Sequence, residues 1–277
     1  MTDLLALLWA PFLMCLVLTG IHAYLGLHVL AREVVFVDIA LAQIAALGAT
    51  AAFLTGFDLD SPLSYVFALG ATILGALVLA LTRSRERHVS QEAIIGVVYA
   101  VSAAASVLLV ANAPHGAEYL RAMLVGNILT VSGRDVLAVA VLYAGVGLLH
   151  WRCRKPFFLI SNDPERAWRE GWRVRPWDFL FYASFGVVVT SSVRIAGVLL
   201  VFSYLIVPAL AAITVARTTR DRLLIAWAFG AAVSVLGVGA SAALDLPTGA
   251  AVVCAFGASL LAAGGVRALV RRRAPVG

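Results

Sequence analysis

The chain has 277 residues, of which 62% are hydrophobic and 13% are charged, and its formal net charge is +6. A water-soluble domain of this length cannot shield so many apolar residues, so the composition excludes a soluble globular protein and makes lipid the solvent. The basic residues lie in short breaks between apolar runs, a pattern that reports membrane topology and gives no indication of a nucleic-acid partner.

Runs of mainly apolar residues recur along the whole chain. A helix needs roughly 20 such residues to cross a bilayer, so we predict one all-α membrane domain over residues 1–277 with about nine spans. The predicted spans are Leu4–Leu30, Val35–Leu54, Ser61–Thr82, Ala93–Ala111, Val136–Trp151, Trp177–Thr190, Ile195–Ala216, Leu223–Ala243 and Ala250–Leu269. Only Ser191–Arg194 separates the sixth span from the seventh. A tight hairpin, a broken helix and one span with a re-entrant piece all fit this segment, so eight spans is the alternative.

The distribution of basic residues predicts the orientation. With the N-terminus outside and the C-terminus inside, 18 of the 21 Lys and Arg residues fall in inward segments, and only Arg121, Arg134 and Arg194 fall outside. Inward loops of membrane proteins carry such an excess of positive charge, and the opposite orientation would invert it.

Four polar side chains in or beside the first four spans are candidates for lining a transport pathway, because such groups are costly in lipid. Asp38 lies in span two, although near the interface it could instead be solvated or paired with Arg32. Gln43 is mid-span and could instead hold two helices together, as could His22 in span one. Glu92 opens span four, where the helix dipole already favours an acid. His28, and His115 and Glu118 in an outward loop, are further candidates.

The longest inward segment covers residues 152–176. Asn162 or Asp163 can cap a short amphipathic helix in which Pro164 takes the first position and Glu165 the first turn, and Gly171 can end it. One interpretation is a basic loop on anionic lipid, and the other is a docking element for a cytoplasmic partner.

Four stretches in this half of the chain resemble the permease subunits of the zinc, manganese and iron ABC importer family. DPERAWREG resembles the coupling segment of that family, DPExAxxxG. VGNILTVSGRD, VRIAGVLLVFSYLIVPALAA and LPTGAAVV resemble its GNIL segment, its G-LL-LI-PA run and the entry to its last span. The matching residues include Asp163, Pro164, Glu165, Ala167, Gly171, Gly126, Asn127, Gly197, Pro208, Pro247 and Gly249.

The resemblance implies a multi-pass protein of the bacterial inner membrane that imports divalent metal ions by alternating access. It implies a homodimer, two cytoplasmic ATP-binding-cassette subunits docked on Asp163–Gly171, and an extracytoplasmic metal-binding protein. The chain contains no GxxxxGK[ST] phosphate loop, so we expect ATP to be hydrolysed by the partner subunit. We expect no covalently bound cofactor and no enzymatic activity in this chain.

Span two departs from the family pattern FxGDALSHAxxPG. The chain reads FVDIALAQIAALG, so Ile39 and Gln43 stand where the family has an Asp and a His four residues apart. Such a pair lies on one helix face and could share a cation. Asp38 lies one position before the family's Asp position, and on a regular helix it is about 140° from Gln43. An importer of a metal chelate or another small solute is therefore an alternative, and a secondary transporter is another.

Overall fold

The computed structural model describes residues 2–58, 61–83, 89–111 and 124–273, with side chains described between residues 8 and 264. All regular structure in these ranges is helical, which confirms the all-α prediction. The helices are α1 Thr2–Ala31, α2 Val37–Leu54, α3 Pro62–Leu81, α4 Gln91–Val110, α5 Gly133–Arg152, α6 Arg154–Asn162, α7 Pro164–Arg169, α8 Val174–Val215, α9 Thr219–Leu244 and α10 Thr248–Arg273, with a 3-10 turn at Ile128–Thr130.

Five of the ten helices begin at a residue whose side chain caps a free N–H group of the first turn. Each capping oxygen accepts a hydrogen bond from the backbone N–H three residues later, which satisfies a donor that the helix itself leaves unpaired. The capping residues of this kind are Ser61, Ser90, Ser132, Asp163 and Thr218.

Within the described residues, seven helices are long and apolar enough to cross a membrane: α1 to α5, α8 and α9. An eighth apolar stretch, Thr248–Gly264, is the part of α10 whose side chains are described. The helix α8 has 42 residues, which corresponds to about 63 Å of helix, roughly twice the thickness of a hydrocarbon core.

A break at Gly197 divides α8 into two arms. Gly197 has φ 76° and ψ 160°, a backbone conformation that interrupts the helix and that a glycine adopts readily. The predicted break at Ser191–Arg194 is wrong, because these four residues continue the first arm. Ser191 and Ser192 donate to the carbonyl of Val188 at 2.8 and 2.6 Å, so the helix itself satisfies these polar side chains.

The two arms of α8 run in opposite directions. The first arm is antiparallel to α1, since Asp178 contacts Arg32 and Ser192 contacts His22. Helix α9 is also antiparallel to α1. The contacts between α9 and α1 are Gly230 beside Thr19 and Ala226 beside Ala23. The second arm is in turn antiparallel to α9, and its contacts are Tyr204 to Ser234, Pro208 to Gly230 and Ala212 to Ala226.

With α8 counted as two arms and α10 included, the described helices cross nine times, in agreement with the predicted count. We call the two ends of the bundle the Arg32 end and the Gly197 end. Arg32, Arg83 and Arg175 meet at the Arg32 end through Asp178 and the carbonyl of Arg83.

Candidate coupling segment and transport pathway

The segment between α5 and α8 contains the predicted short helix. Asp163 caps α7, and its Oδ1 accepts a hydrogen bond from the N–H of Arg166 at 2.9 Å. Pro164 is the first helical residue, and Gly171 follows the helix with φ 77°. The capped helix predicted over Asp163–Gly171 is therefore confirmed as a local structure.

Helix α7 has one buried and one exposed face. Ala167 is fully buried and packs with Ile160 and Val174. On the exposed face, Arg166 Nε donates to Glu170 Oε1 at 2.7 Å, and this hydrogen bond lowers the pKa of the Glu170 carboxyl from its ordinary value. Because Ala167 anchors the buried face, the charged face of α7 can meet a partner without refolding.

A second helix in this segment, α6, was missed from the sequence. The prediction placed one helix in residues 152–176, but the structure has α6 and α7, and α8 already begins at Val174. Helix α6 buries Phe157, Ile160 and Ser161. The amphipathic spacing of RKPFFLISN could have revealed it, although the span of only nine residues and the proline in it weaken that signal.

Asp38 is buried in the first turn of α2, with 1% of its surface exposed. Neither carboxylate oxygen has a hydrogen-bond partner among the described residues. The suggested pairing with Arg32 does not occur in the structure, because the short ion pair of Arg32 is with Asp178 at 2.6 Å. A buried carboxylate without a partner is costly, which marks Asp38 as a functional candidate.

The residues at the family's Asp and His positions lie on another face of α2. Ile39, Gln43 and Leu47 are spaced four residues apart and are each half-buried, so they form one stripe along the helix. The helix is continuous from Val37 to Leu54, so Asp38 and Gln43 do not converge within one chain. The amide of Gln43 makes no hydrogen bond with the described residues, and the helix-linking role weighed for it is not seen.

His22 is fully buried and both of its ring nitrogens are occupied. Nδ1 lies 2.8 Å from the carbonyl of Leu18, and Nε2 lies 3.1 Å from Ser192 Oγ on the first arm of α8. A cation could bind this imidazole only by displacing the Ser192 contact, so the geometry favours a helix–helix link. His28 differs, because its Nδ1 lies 2.8 Å from Ser161 Oγ whereas its buried Nε2 has no hydrogen-bond partner among the described residues.

Glu92 connects the starts of two helices. Its Oε1 accepts a hydrogen bond from the N–H of Phe36 at 3.1 Å, just ahead of α2. Glu92 also lines a polar cavity of about 430 Å³ at the Arg32 end, together with Arg32, Arg83 and Glu165. It therefore lies beside the segment containing α6 and α7. His115 and Glu118 lie outside the described residues.

The glycines of three motifs converge at the Gly197 end. The N–H of Asn127 donates to the carbonyl of Ile195 at 3.1 Å, which places Gly126 directly against Gly197. A Cβ on Gly249 would lie 3.0 Å from the carbonyl oxygen of Val125. The segment after α4, the break in α8 and the start of α10 therefore form one tightly packed junction, which explains why small residues occur there.

The two prolines of these motifs have local structural roles. Pro208 lies in the second arm of α8 and would be 3.5 Å from a Cβ built on Gly230 of α9. The carbonyl of Pro247 accepts a hydrogen bond from the N–H of Ala251 in the first turn of α10. Within the described residues, no group of three or more His, Cys, Asp or Glu side chains is arranged to hold a metal ion.

A bundle of apolar helices that are long enough to cross a membrane, with a two-helix segment at one end, defines the class of protein, which is a multi-pass membrane protein. The chain belongs to the ABC 3 transport family, whose model matches residues 5–265. The family assignment confirms the resemblance seen in the four sequence stretches.

Several proteins are similar to this chain. The manganese import system permease protein ScaB of Streptococcus parasanguinis is 26% identical over 204 residues, which cover 73% of this chain and 72% of ScaB. The manganese transport system membrane protein MntC of Listeria innocua is 26% identical over 208 residues, with 73% and 72% covered. A chain of PsaBC from Streptococcus pneumoniae, solved in complex with Fab, has the same fold, with a TM-score of 0.77, 22% identity and coverage of 95% and 93%.

Proposed function

We propose that this chain is the membrane-spanning subunit of an ABC importer for divalent metal ions and that it works by alternating access. The observation that carries the proposal is the capped helix α7, held at one end of a nine-crossing bundle by a buried face. Membership in the ABC 3 transport family supports it. The names of the similar proteins ScaB and MntC, which describe manganese import and transport, favour a metal cargo.

The proposal includes the partners and the orientation. Two copies of the chain form the permease, two cytoplasmic ATP-binding-cassette subunits dock on α7 and hydrolyse ATP, and an extracytoplasmic protein delivers the metal. The chain lies in the bacterial inner membrane with its N-terminus outside. The grouping of Arg32, Arg83 and Arg175 at the same end as α7 supports a cytoplasmic position for that end.

Asp38 and Gln43 are the residues that we propose for the pathway. They lie on different faces of one unbroken α2, so they act together only if the second copy of the chain supplies one of them. A metal chelate is the second candidate cargo. It is favoured by the stripe of Ile39, Gln43 and Leu47, which offers one amide and no carboxylate or imidazole to a bare cation.

Docking on α7 is tested by co-expressing the chain with its ATPase subunit. Replacing Asp163–Gly171 by a flexible linker is expected to abolish co-purification, and Arg169→Glu on the exposed face is expected to weaken it. Arg220→Glu reverses an exposed arginine at the start of α9 and serves as the matched control. Full recovery of the ATPase with the linker variant would show that the assignment of α7 is wrong.

The cargo is tested by uptake of radiolabelled Mn²⁺, Fe²⁺ and Zn²⁺ in a strain lacking the chain, with and without the cloned gene. We expect restored uptake of at least one of the three ions, lost when ATP is depleted with ion gradients intact. Unchanged uptake of all three ions would exclude the metal assignment, and uptake only in the presence of a chelator would select the second candidate.

A further inference from the structure

A buried ion pair joins the first span to the first arm of α8 at the Arg32 end. Arg32 Nη1 lies 2.6 Å from Asp178 Oδ1, and both side chains are completely buried. The guanidinium also stacks on Phe181, with Cζ 3.9 Å from the ring centroid. Planar stacking and an ion pair together fix the orientation of the guanidinium.

The same guanidinium extends to the segment that carries α7. Arg32 Nε donates to Ser161 Oγ at 2.8 Å, and His28 Nδ1 lies 2.8 Å from that oxygen. Ser161 is buried in α6, two residues before the capping residue Asp163, and the N–H of Asp163 donates to the carbonyl of Leu159 in the same helix. A displacement of α7 therefore acts on Ser161 through a short and continuous stretch of backbone.

A fourth helix, α3, joins the network through Asp178. Its Oδ2 lies 3.6 Å from Arg83 Nε, just beyond the end of α3, and Arg175 Nε donates to the carbonyl of Arg83 at 3.4 Å. Elements from α1, α3, α6 and α8 thus meet at two buried charges, Arg32 and Asp178.

Stability alone is a weak reason for this arrangement. A buried ion pair often contributes no more than apolar side chains of the same volume, because both charges lose their hydration. Two buried polar atoms of the pair, Arg32 Nη2 and Asp178 Oδ2, also form no hydrogen bond with the described residues. The contact of Asp178 Oδ2 with Arg83 is only the longer one of 3.6 Å, so the pair is held less completely than a network built for stability alone.

We propose that Arg32 is a positioning residue that transmits movement of α6 and α7 to α1 and to the first arm of α8. Ser161 is its contact on the coupling side and Asp178 its contact on the bundle side. The inference rests on the proposed function, in which the ATPase subunits move α7. It adds the route by which that movement reaches the spans.

The experiment uses the complete complex of permease and ATPase reconstituted in liposomes, with the binding protein and Mn²⁺ supplied. Ser161→Ala removes the coupling-side contact and leaves the Arg32–Asp178 pair intact. Arg32→Lys keeps a positive charge for Asp178 but loses the planar guanidinium, which contacts Ser161 and Asp178 at the same time. For both variants we measure ATPase recovery, ATP hydrolysis and the number of Mn²⁺ ions accumulated per ATP hydrolysed.

We expect normal recovery and hydrolysis, with accumulation per ATP reduced by about three- to tenfold, as for mutations that alter coupling between sites. Ser203→Ala is the matched control, because Ser203 is a buried serine whose side chain, among the described residues, bonds only the carbonyl of Leu199. It should leave the ratio unchanged. An unchanged ratio in both test variants, or a fall of hydrolysis and transport in parallel, would refute the role of Arg32. Failure of the unmodified chain to bind the ATPase would instead refute the proposed function.

Discussion

Gly126 and Gly197 lie so close together that neither position has room for a side chain. A Cβ on Gly126 would overlap the backbone of Ala196 and Gly197, and a Cβ on Gly197 would overlap the backbone of Val125 and Gly126. Both glycines also have positive φ, 65° and 76°. The reversal of α8 and the segment after α4 therefore depend on each other.

We predict that Gly197→Ala destabilises the protein by about 2 kcal/mol or more. Gly197 has φ 76° and ψ 160°, a conformation that costs a residue with a side chain about 1–3 kcal/mol. The overlap with backbone atoms adds to that cost because no flexible side chain can move away. The measurement is the melting temperature in detergent, followed by intrinsic tryptophan fluorescence. A melting temperature equal to that of the unmodified protein would contradict the close junction at the Gly197 end.

Helix α9 offers a matched pair of glycines two residues apart. A Cβ on Gly237 would lie 2.6 Å from Val252 Cα of α10, whereas a Cβ on Gly239 meets no atom within 4 Å. Gly237→Ala should lower the melting temperature by forcing α9 and α10 apart. Gly239→Ala should leave it unchanged or raise it slightly, since alanine favours a helix by about 1 kcal/mol over glycine. Equal shifts in the two variants would contradict the packing of α9 on α10.

The spans were predictable because their signal is local. Twenty apolar residues identify a span wherever it packs, and the cap at Asp163 and the glycine at position 171 are read within nine residues of sequence. The break in α8 was misplaced because Ser191 and Ser192 look like loop residues in the sequence. In the structure they bond to a helical carbonyl, and Ser192 also contacts His22, which is 170 residues away.

The candidate site was predictable only in part, because its contacts join residues that are far apart in the sequence. The pairing of Arg32 with Asp178 spans 146 residues, and no local pattern reports it. The sequence suggested Arg32 as a partner for Asp38, six residues away. In the structure Arg32 forms its short ion pair with Asp178, and both oxygens of Asp38 have no hydrogen-bond partner among the described residues.

We predict that Asp178→Asn destabilises the protein by about 3–5 kcal/mol, because it leaves Arg32 buried without its countercharge. The double variant Arg32→Met with Asp178→Leu should recover at least half of the lost melting temperature, since it removes both charges and keeps the volume filled. A double variant no more stable than Asp178→Asn would show that the pair contributes more than mutual neutralisation. Metal accumulation should stay low in the double variant even where stability returns.

Asp38→Asn separates a structural from a functional role for the unpartnered carboxylate. An amide keeps the shape of the side chain and removes the charge, so burial becomes less costly and we expect the melting temperature to rise. If Asp38 acts in the pathway, uptake of Mn²⁺ should fall by about tenfold or more in the same variant, because the charge that attracts the cation is lost. Asp58→Asn makes the same chemical change at an exposed residue beyond α2 and should affect neither quantity. A more stable Asp38→Asn protein with undiminished uptake would remove Asp38 from the pathway and leave the stripe of Ile39, Gln43 and Leu47 as the face of α2 along which the cargo moves.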